Sequence, residues 1–369
     1  MGLEVDPGVA PARDCTVFAT LWASGSSRVA RCTARTPASS VTHHMNRRLL
    51  VTAALVIGSP LSAQTPAKSL PQRLADDFVT LFGSHTGYRI NHAKGIIVTG
   101  TFTPAPGAAA LSRAAHFAAV TPVIVRYSDG TGLPTIPDNN PNASPHGIAI
   151  RFTFPSGAYT DIVALAHNGF VVGTGEDFAG FLEAAAATKP DTPHPTPIEK
   201  FLHGHPHALK FATDPEPNPV SFADLSWFGN NALTFVNAKG VKQAGRYKFV
   251  PVETPKFLDS ASAAKMPPNY LMDEITHRLA AKHPVQLRMF VQLANPGDPT
   301  ADGSVVWPDD RKLVEMGVLT LTTVAPDNAT LQRSLAFSPI FLTDGIQLAD
   351  DPLISLRAAV YALSVARRR

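Results

Sequence analysis

The stretch Tyr88-Arg89-Ile90-Asn91-His92-Ala93-Lys94-Gly95 (YRINHAKG) opens the first strand-like run of the chain, residues 87–102. It puts an arginine and a histidine three positions apart, with a small alanine and then a glycine behind the histidine. On a strand, Asn91 and His92 point to opposite faces, and Ile90 shares the face of His92. A histidine on an apolar face says little by itself. Ala93 and Gly95 add something, because small residues let a flat group approach the backbone closely.

Working outward, further runs rich in β-branched and aromatic residues read as strands at 121–127, 146–154, 160–163, 233–236, 243–250, 285–293 and 313–324. Residues 233–250, with Asn237-Ala238-Lys239-Gly240 in the middle, read as a hairpin. Helical patterns cover 178–187, 198–212 within a Pro/His/Thr-rich segment at 189–219, and 272–283. The last helix is the clearest. ADDPLISLRAAVYALSVARRR offers Asp350 or Asp351 as N-cap and Pro352 at the first helical position, and its final arginines suit the negative end of the helix dipole. About eight strands, with helices gathered in one region and at the end, predict an α+β protein built on an antiparallel β-barrel.

Composition narrows the function. The chain has 369 residues, 44% of them apolar and 17% charged, which suits a globular protein with a sizeable core. The 33 prolines argue for long ordered loops rather than a helical bundle. A net charge of +3, with no basic stripe interleaved with aromatics, argues against nucleic acid as a partner. Both cysteines, Cys15 and Cys32, precede residue 45. A disulfide framework, a zinc–cysteine site, a thiol nucleophile and a haem–thiolate are therefore excluded for the body of the chain.

Met45 begins MNRRLLVTAALVIGSPLSAQ, which has the three parts of a secretory signal. These are Arg47-Arg48, a short apolar run from Leu49 to Ile57, and the small residues of Leu61-Ser62-Ala63. The expected organisation is a non-native or disordered extension at 1–44, a signal peptide at 45–63 and one folded domain at 64–369, exported to the periplasm or secreted. No other apolar run is long enough to anchor the chain in a membrane.

Two more stretches carry polar groups in suggestive patterns. In VRYSDGTG, Arg126 and Ser128 share a strand face; a buried arginine calls for a carboxylate, and a serine beside a histidine can fix its tautomer. On the final helix, Arg357 and Tyr361 are four apart and share a face. His203, His205 and His207 alternate in FLHGHPHALK, where a surface loop is the simpler reading than a metal site. Ser260 has no partner pattern for a nucleophile. Asp138, Asn139, Asn140 and Asn142 lack the closing glutamate of a calcium loop.

Taken together, YRINHAKG, VRYSDGTG, SPHGIAIRF, the hairpin LTFVNAKG…RYKFVP and the terminal LRAAVYALSVARR resemble the haem catalase superfamily, and within it the catalase-related peroxidase, or minicatalase, branch. The resemblance spans residues 77–368. It implies an eight-stranded antiparallel barrel enclosing haem b. His92 is then the distal histidine and Ser128 its hydrogen-bond partner. Arg89 and Arg126 pair with haem propionates, with Ala93 and Gly95 leaving room for the macrocycle. Phe170 and Phe178 pack near the haem face. Tyr361 is the tyrosinate ligand to ferric iron, supported by Arg357. The implied substrates are hydrogen peroxide or organic hydroperoxides and a small organic electron donor.

The sequence departs from the family's full catalases in two ways. Their distal asparagine falls on Leu165 here, with His167 and Asn168 nearby, so peroxidase activity is expected to exceed catalase activity. The chain also ends soon after Tyr361, without the long C-terminal regions of full catalases, and a monomer or homodimer is expected. Two other readings use the same residues: a haem-carrying barrel without turnover, and an allene oxide synthase-like enzyme that rearranges lipid hydroperoxides.

Overall fold

The computed structural model describes residues 67–368. The expected extension, the signal peptide and both cysteines lie outside the described residues. The strands are β1 (Gly95–Pro104), β2 (Thr121–Ser128), β3 (Gly147–Thr153), β4 (Tyr159–Leu165), β5 (Asn218–Pro219), β6 (Trp227–Phe228), β7 (Leu233–Val236), β8 (Lys242–Pro251), β9 (Phe257–Leu258), β10 (Val285–Leu293), β11 (Leu313–Val324) and β12 (Ile346–Leu348).

An eight-stranded antiparallel barrel closes in the order β10-β11-β1-β2-β3-β4-β6-β8, with β8 pairing back onto β10. Closure leaves these strands no free edge. The β7–β8 hairpin extends beyond the closure, with β12 pairing on β7. Gly100 sits where β1 changes register against β11, and a Cβ there would meet the Thr320 carbonyl oxygen at 2.0 Å. Only glycine permits that approach.

Period-two alternation decides what lies inside the barrel. Val98 and Phe102 of β1, Val125 and Tyr127 of β2, and Ile150 and Phe152 of β3 all point into one continuous apolar core. Leu287 and Met289 of β10 and the fully buried Trp227 of β6 complete it. The barrel is thus as expected, but side chains fill its interior and it encloses no cavity for a cofactor. The alternate residues, Arg126, Ser128, Gly147, Ala149, Val163 and Leu165, line a cavity against the outer wall of β2–β4.

Helices close that cavity. The helix Leu70–Phe82, capped by a reciprocal Ser69–Gln72 box, buries Leu74, Ala75 and Phe78. Its apolar spacing of four was present in the sequence but was not read as a helix. Gly175–Ala187 begins at Thr174, whose hydroxyl accepts from Asp177 N at 3.1 Å. The single helix expected at 198–212 is two, Pro197–Gly204 and Pro206–Thr213, broken at His205. Pro206 has no N–H to continue the first helix and instead starts the second. The final helix runs Pro352–Arg368, and Asp351 is its cap, accepting from Leu353 N at 2.9 Å.

The opening stretch is not a strand. β1 starts only at Gly95, and residues 88–94 form an irregular segment in which His92 has a φ of +52°. Ile90 and His92 therefore do not share a strand face, contrary to the expectation from sequence. Hydrogen bonds from neighbouring loops and strands fix this segment instead.

Candidate active site

The cavity and its open mouth together hold about 1160 Å³ of empty space. One wall is the irregular segment before β1 together with β2–β4. Another is a single face of the final helix, through Leu353, Arg357, Val360, Tyr361, Ser364 and Arg368. These positions recur every three or four residues, as one helical face requires. All eight residues singled out in the sequence (His92, Ser128, Arg89, Arg126, Phe170, Phe178, Arg357 and Tyr361) line this one cavity.

His92 is held from several directions. Arg126 Nη2 donates to the carbonyls of His92 at 2.8 Å and Ala93 at 3.2 Å, and Ala93 N donates to Thr131 O at 2.8 Å. These bonds stabilise the left-handed backbone of His92, a conformation uncommon for a residue with a side chain. The ring is set by Ser128, whose Oγ lies 3.2 Å from Nδ1. Gly147 O lies 3.5 Å from the same hydroxyl. With Ser128 O–H turned to that carbonyl, the ring donates from Nδ1 and leaves Nε2 free to accept a proton. Gly147 makes room for the ring, since a Cβ there would sit 3.0 Å from His92 Nδ1 and 2.9 Å from Ser128 Oγ. Burial first, and the Arg126 charge second, lower the His92 pKa to about 4. The imidazole is therefore neutral at neutral pH.

The cationic corner differs from the sequence reading. Arg126 has no carboxylate partner; its Nε donates to Gln332 Oε1 at 2.6 Å. Arg89 donates to the carbonyls of Gln332 and Leu335, both at 2.8 Å. Among the described residues neither guanidinium forms an ion pair with a carboxylate. Burial first, and repulsion from neighbouring arginines second, lower both pKa values: Arg126 falls to about 9, and Arg89 lies well below its usual value. Arg368, read in the sequence only as a helix-end charge, joins them in the cavity wall and is one of the charges acting on both. Its spacing of seven from Tyr361 on the final helix was the available signal. Gly95 also serves this corner, because a Cβ there would meet Arg126 Nη2 at 2.6 Å. It makes room for the guanidinium, and Ala93 is not part of the cavity wall, so the macrocycle clearance expected of these two residues is corrected.

On the final helix, Arg357 Nη2 donates to Tyr361 Oη at 3.1 Å. Arg357 is itself held by Asn231, whose Oδ1 accepts from Nη1 and whose Nδ2 donates to Asp351 Oδ2 at 2.7 Å. The chain Tyr361–Arg357–Asn231–Asp351 thus ties the phenol to the helix cap. Asn231 lies far away in sequence, and nothing local marked it. Phe170 and Phe178 pack at 5.1 Å between ring centroids and form part of the apolar lining.

Leu165 lies in register with Gly147, and Gly147 with Ser128, so one row crosses β2, β3 and β4. His167 does not substitute for a polar group there; its Nδ1 is 2.7 Å from Glu216 Oε1, and neither it nor Asn168 lines the cavity. Of the histidines near residue 205, His205 stacks on Phe201 with ring centroids 3.9 Å apart, and His207 lies 2.8 Å from Ser304 Oγ. Asp138 accepts from Lys94 and from Leu271 N, so it ties the segment before β1 to the helix Tyr270–Ala280.

These residues fit a planar, dianionic metal macrocycle. They offer an oxygen ligand on a fixed helix, a corner in which Arg89 and Arg126 have no carboxylate partner among the described residues, apolar walls and a neutral imidazole. Comparison with known proteins agrees. The catalase family model matches residues 78–369. The catalase-related peroxidase of Synechococcus elongatus is 31% identical over 306 residues, covering 81% of this chain and 88% of that protein. That of Mycolicibacterium paratuberculosis is 32% identical over 302 residues, covering 81% and 94%. Solved structures of a fungal and a bacterial catalase superpose with TM-scores of 0.67 and 0.65 at 19% and 20% identity. The chain covers only 64% and 62% of those two longer proteins, and the likeness is one of fold. This chain belongs to the catalase family.

Proposed function

We propose that the chain is a haem-dependent peroxidase that reduces hydrogen peroxide or organic hydroperoxides with electrons from a small organic donor, with weak catalase activity at most. The observation that carries this is the convergence on one apolar cavity of two hydrogen-bonded pairs, Arg357–Tyr361 and Ser128–His92, beside Arg89 and Arg126, which form no ion pair with a carboxylate among the described residues. Haem b fits this set: Tyr361 would be the iron ligand, Arg89, Arg126 and Arg368 would hold the propionates, and Phe170 and Phe178 would supply apolar lining. Bound ferric haem would supply the electrons that cleave the O–O bond, and an anionic oxygen ligand would favour that cleavage.

The protein's own residues manage the protons. Neutral His92 accepts the proton of the peroxide O–H at Nε2 and returns it to the leaving oxygen, which departs as water or an alcohol. Ser128 keeps Nε2 bare through the Nδ1 contact, and Arg126 holds the segment that carries the ring. Leu165 puts an apolar side chain where the full catalases carry their distal asparagine, which supports low catalase activity. On this reading residues 64–369 form the exported haem domain, a monomer or homodimer that acts in the periplasm or outside the cell after removal of residues 45–63.

The test is absorbance spectroscopy of the purified mature protein, with and without peroxide, beside Tyr361→Phe and His92→Ala. Tyr361→Phe should lose haem, whereas His92→Ala should keep haem and lose turnover. Retention of wild-type haem binding by Tyr361→Phe would remove the ligand assignment. Peroxide disproportionation at the rates of full catalases would overturn the peroxidase assignment.

A further inference from the structure

We propose that Asn91 is a second hydrogen-bonding group for the peroxide, acting beside His92 and favouring hydrogen peroxide over organic hydroperoxides. The inference rests on the haem reading above and adds a substrate-selecting residue to it.

Two observations carry it. First, the sheet provides no such group. Across β2–β4 the row runs Ser128, Gly147, Leu165, and its one hydroxyl is already engaged by the His92 ring. Second, Asn91 lines the same cavity, directly before His92 in the chain, and its Oδ1 is buried without a hydrogen-bond partner among the described residues. The neighbouring polar side chains all have protein partners. Arg89 and Arg126 bind carbonyls, Arg357 binds Tyr361, and Ser364 Oγ lies 3.4 Å from Ile90 N. A buried amide oxygen without a donor destabilises the folded chain unless a ligand supplies one. No hydrogen bond among the described residues holds this oxygen, and a turn about the last side-chain torsion, which has broad minima, would bring it to a ligand in the cavity.

The two protons of hydrogen peroxide match this pair of acceptors. One O–H meets His92 Nε2, and the other meets the Asn91 carboxamide oxygen. An organic hydroperoxide has a single O–H, which His92 takes, and Asn91 then remains unsatisfied. A site with a polar group for a hydroxyl discriminates against an analogue that lacks it. By turning, the same carboxamide can also donate from Nδ2 to an anionic ligand.

The test uses haem-loaded protein and the variants Asn91→Val and Asn91→Ala, with cyanide, whose outer nitrogen accepts hydrogen bonds, as the spectroscopic probe. Both variants should bind haem as the wild type does and melt at the same or a higher temperature. The Kd for cyanide should rise about tenfold, equivalent to about 1.4 kcal/mol. The ratio of kcat/KM for hydrogen peroxide to that for tert-butyl hydroperoxide should fall by a similar factor. If either folded, haem-loaded variant keeps the wild-type cyanide Kd and the wild-type ratio, Asn91 has no such role and the haem reading stands. If the wild-type chain takes up no haem, the haem reading fails first and takes this inference with it.

Discussion

The acid limit of turnover is set by the surroundings of His92. Burial and the Arg126 guanidinium lower the imidazole pKa to about 4, against about 6.5 for a free histidine. The reaction needs the neutral ring, so kcat/KM should follow the neutral fraction. At pH 5.5 a ring with a pKa of about 4 is about 97% neutral, whereas an unperturbed ring would be about 9% neutral. The rate at pH 5.5 should therefore nearly equal that at pH 7.5, where an ordinary histidine would give about a tenfold loss. Arg126→Gln removes the largest charge acting on the ring, so the acid limb should move to higher pH. The assay is kcat/KM for peroxide from pH 4 to 8 at constant ionic strength, with haem occupancy followed by absorbance at each point. A wild-type limb centred at or above pH 6.5 would refute the reasoning, as would an Arg126→Gln limb displaced downward.

Other residues give separate tests. His116 is fully buried among Phe102, Phe117 and Phe152, neither ring nitrogen has a hydrogen-bond partner among the described residues, and its pKa falls to about 3 through burial. Below pH 6.5 the unfolded chain binds a proton there that the folded chain refuses, so stability falls as pH drops, by about 1.4 kcal/mol per unit. His116→Leu should stabilise the protein by about 1–3 kcal/mol at pH 7.5 and by about 2.7 kcal/mol more at pH 4.5, read from urea unfolding; an equal gain at both pH values would contradict this. Gly147→Ala should displace the His92 ring and lower kcat/KM at least tenfold while leaving haem bound, because the added Cβ meets Ser128 Oγ at 2.9 Å. Asn231→Leu should release Arg357 and leave Asp351 without its amide partner, costing about 1–3 kcal/mol of stability and shifting the haem absorbance bands; an unchanged spectrum would show that Arg357 keeps its position without Asn231.

Local patterns carried a large part of this protein. Period-two runs gave the barrel strands, because each strand buries one face in the barrel core and turns the other outward. Asp351, Pro352 and the Arg357–Tyr361 spacing gave the final helix and its functional face, because a helix brings residues four apart together whatever surrounds it. The order of the motifs gave the family. Short or irregular elements were not legible. β6 is two residues long and has no period to read, yet without Trp227 and Phe228 the barrel would not close. His92 was recognised by its neighbours, but its backbone was misjudged, because bonds from Arg126 and Thr131 hold it in place and no local preference does.

The sequence alone determined the long barrel strands, the final helix, the catalase resemblance and eight of the residues that meet at the site. Tertiary structure alone decided that the cavity lies against the outside of the barrel, since strand alternation defines two faces and only closure says which is inner. It also decided that Asn231 holds Arg357 and that Arg368 joins the cationic corner, and that among the described residues Arg126 has no carboxylate and the Asn91 oxygen no partner. Each of these depends on which distant segments come within hydrogen-bond range, and folding sets those distances.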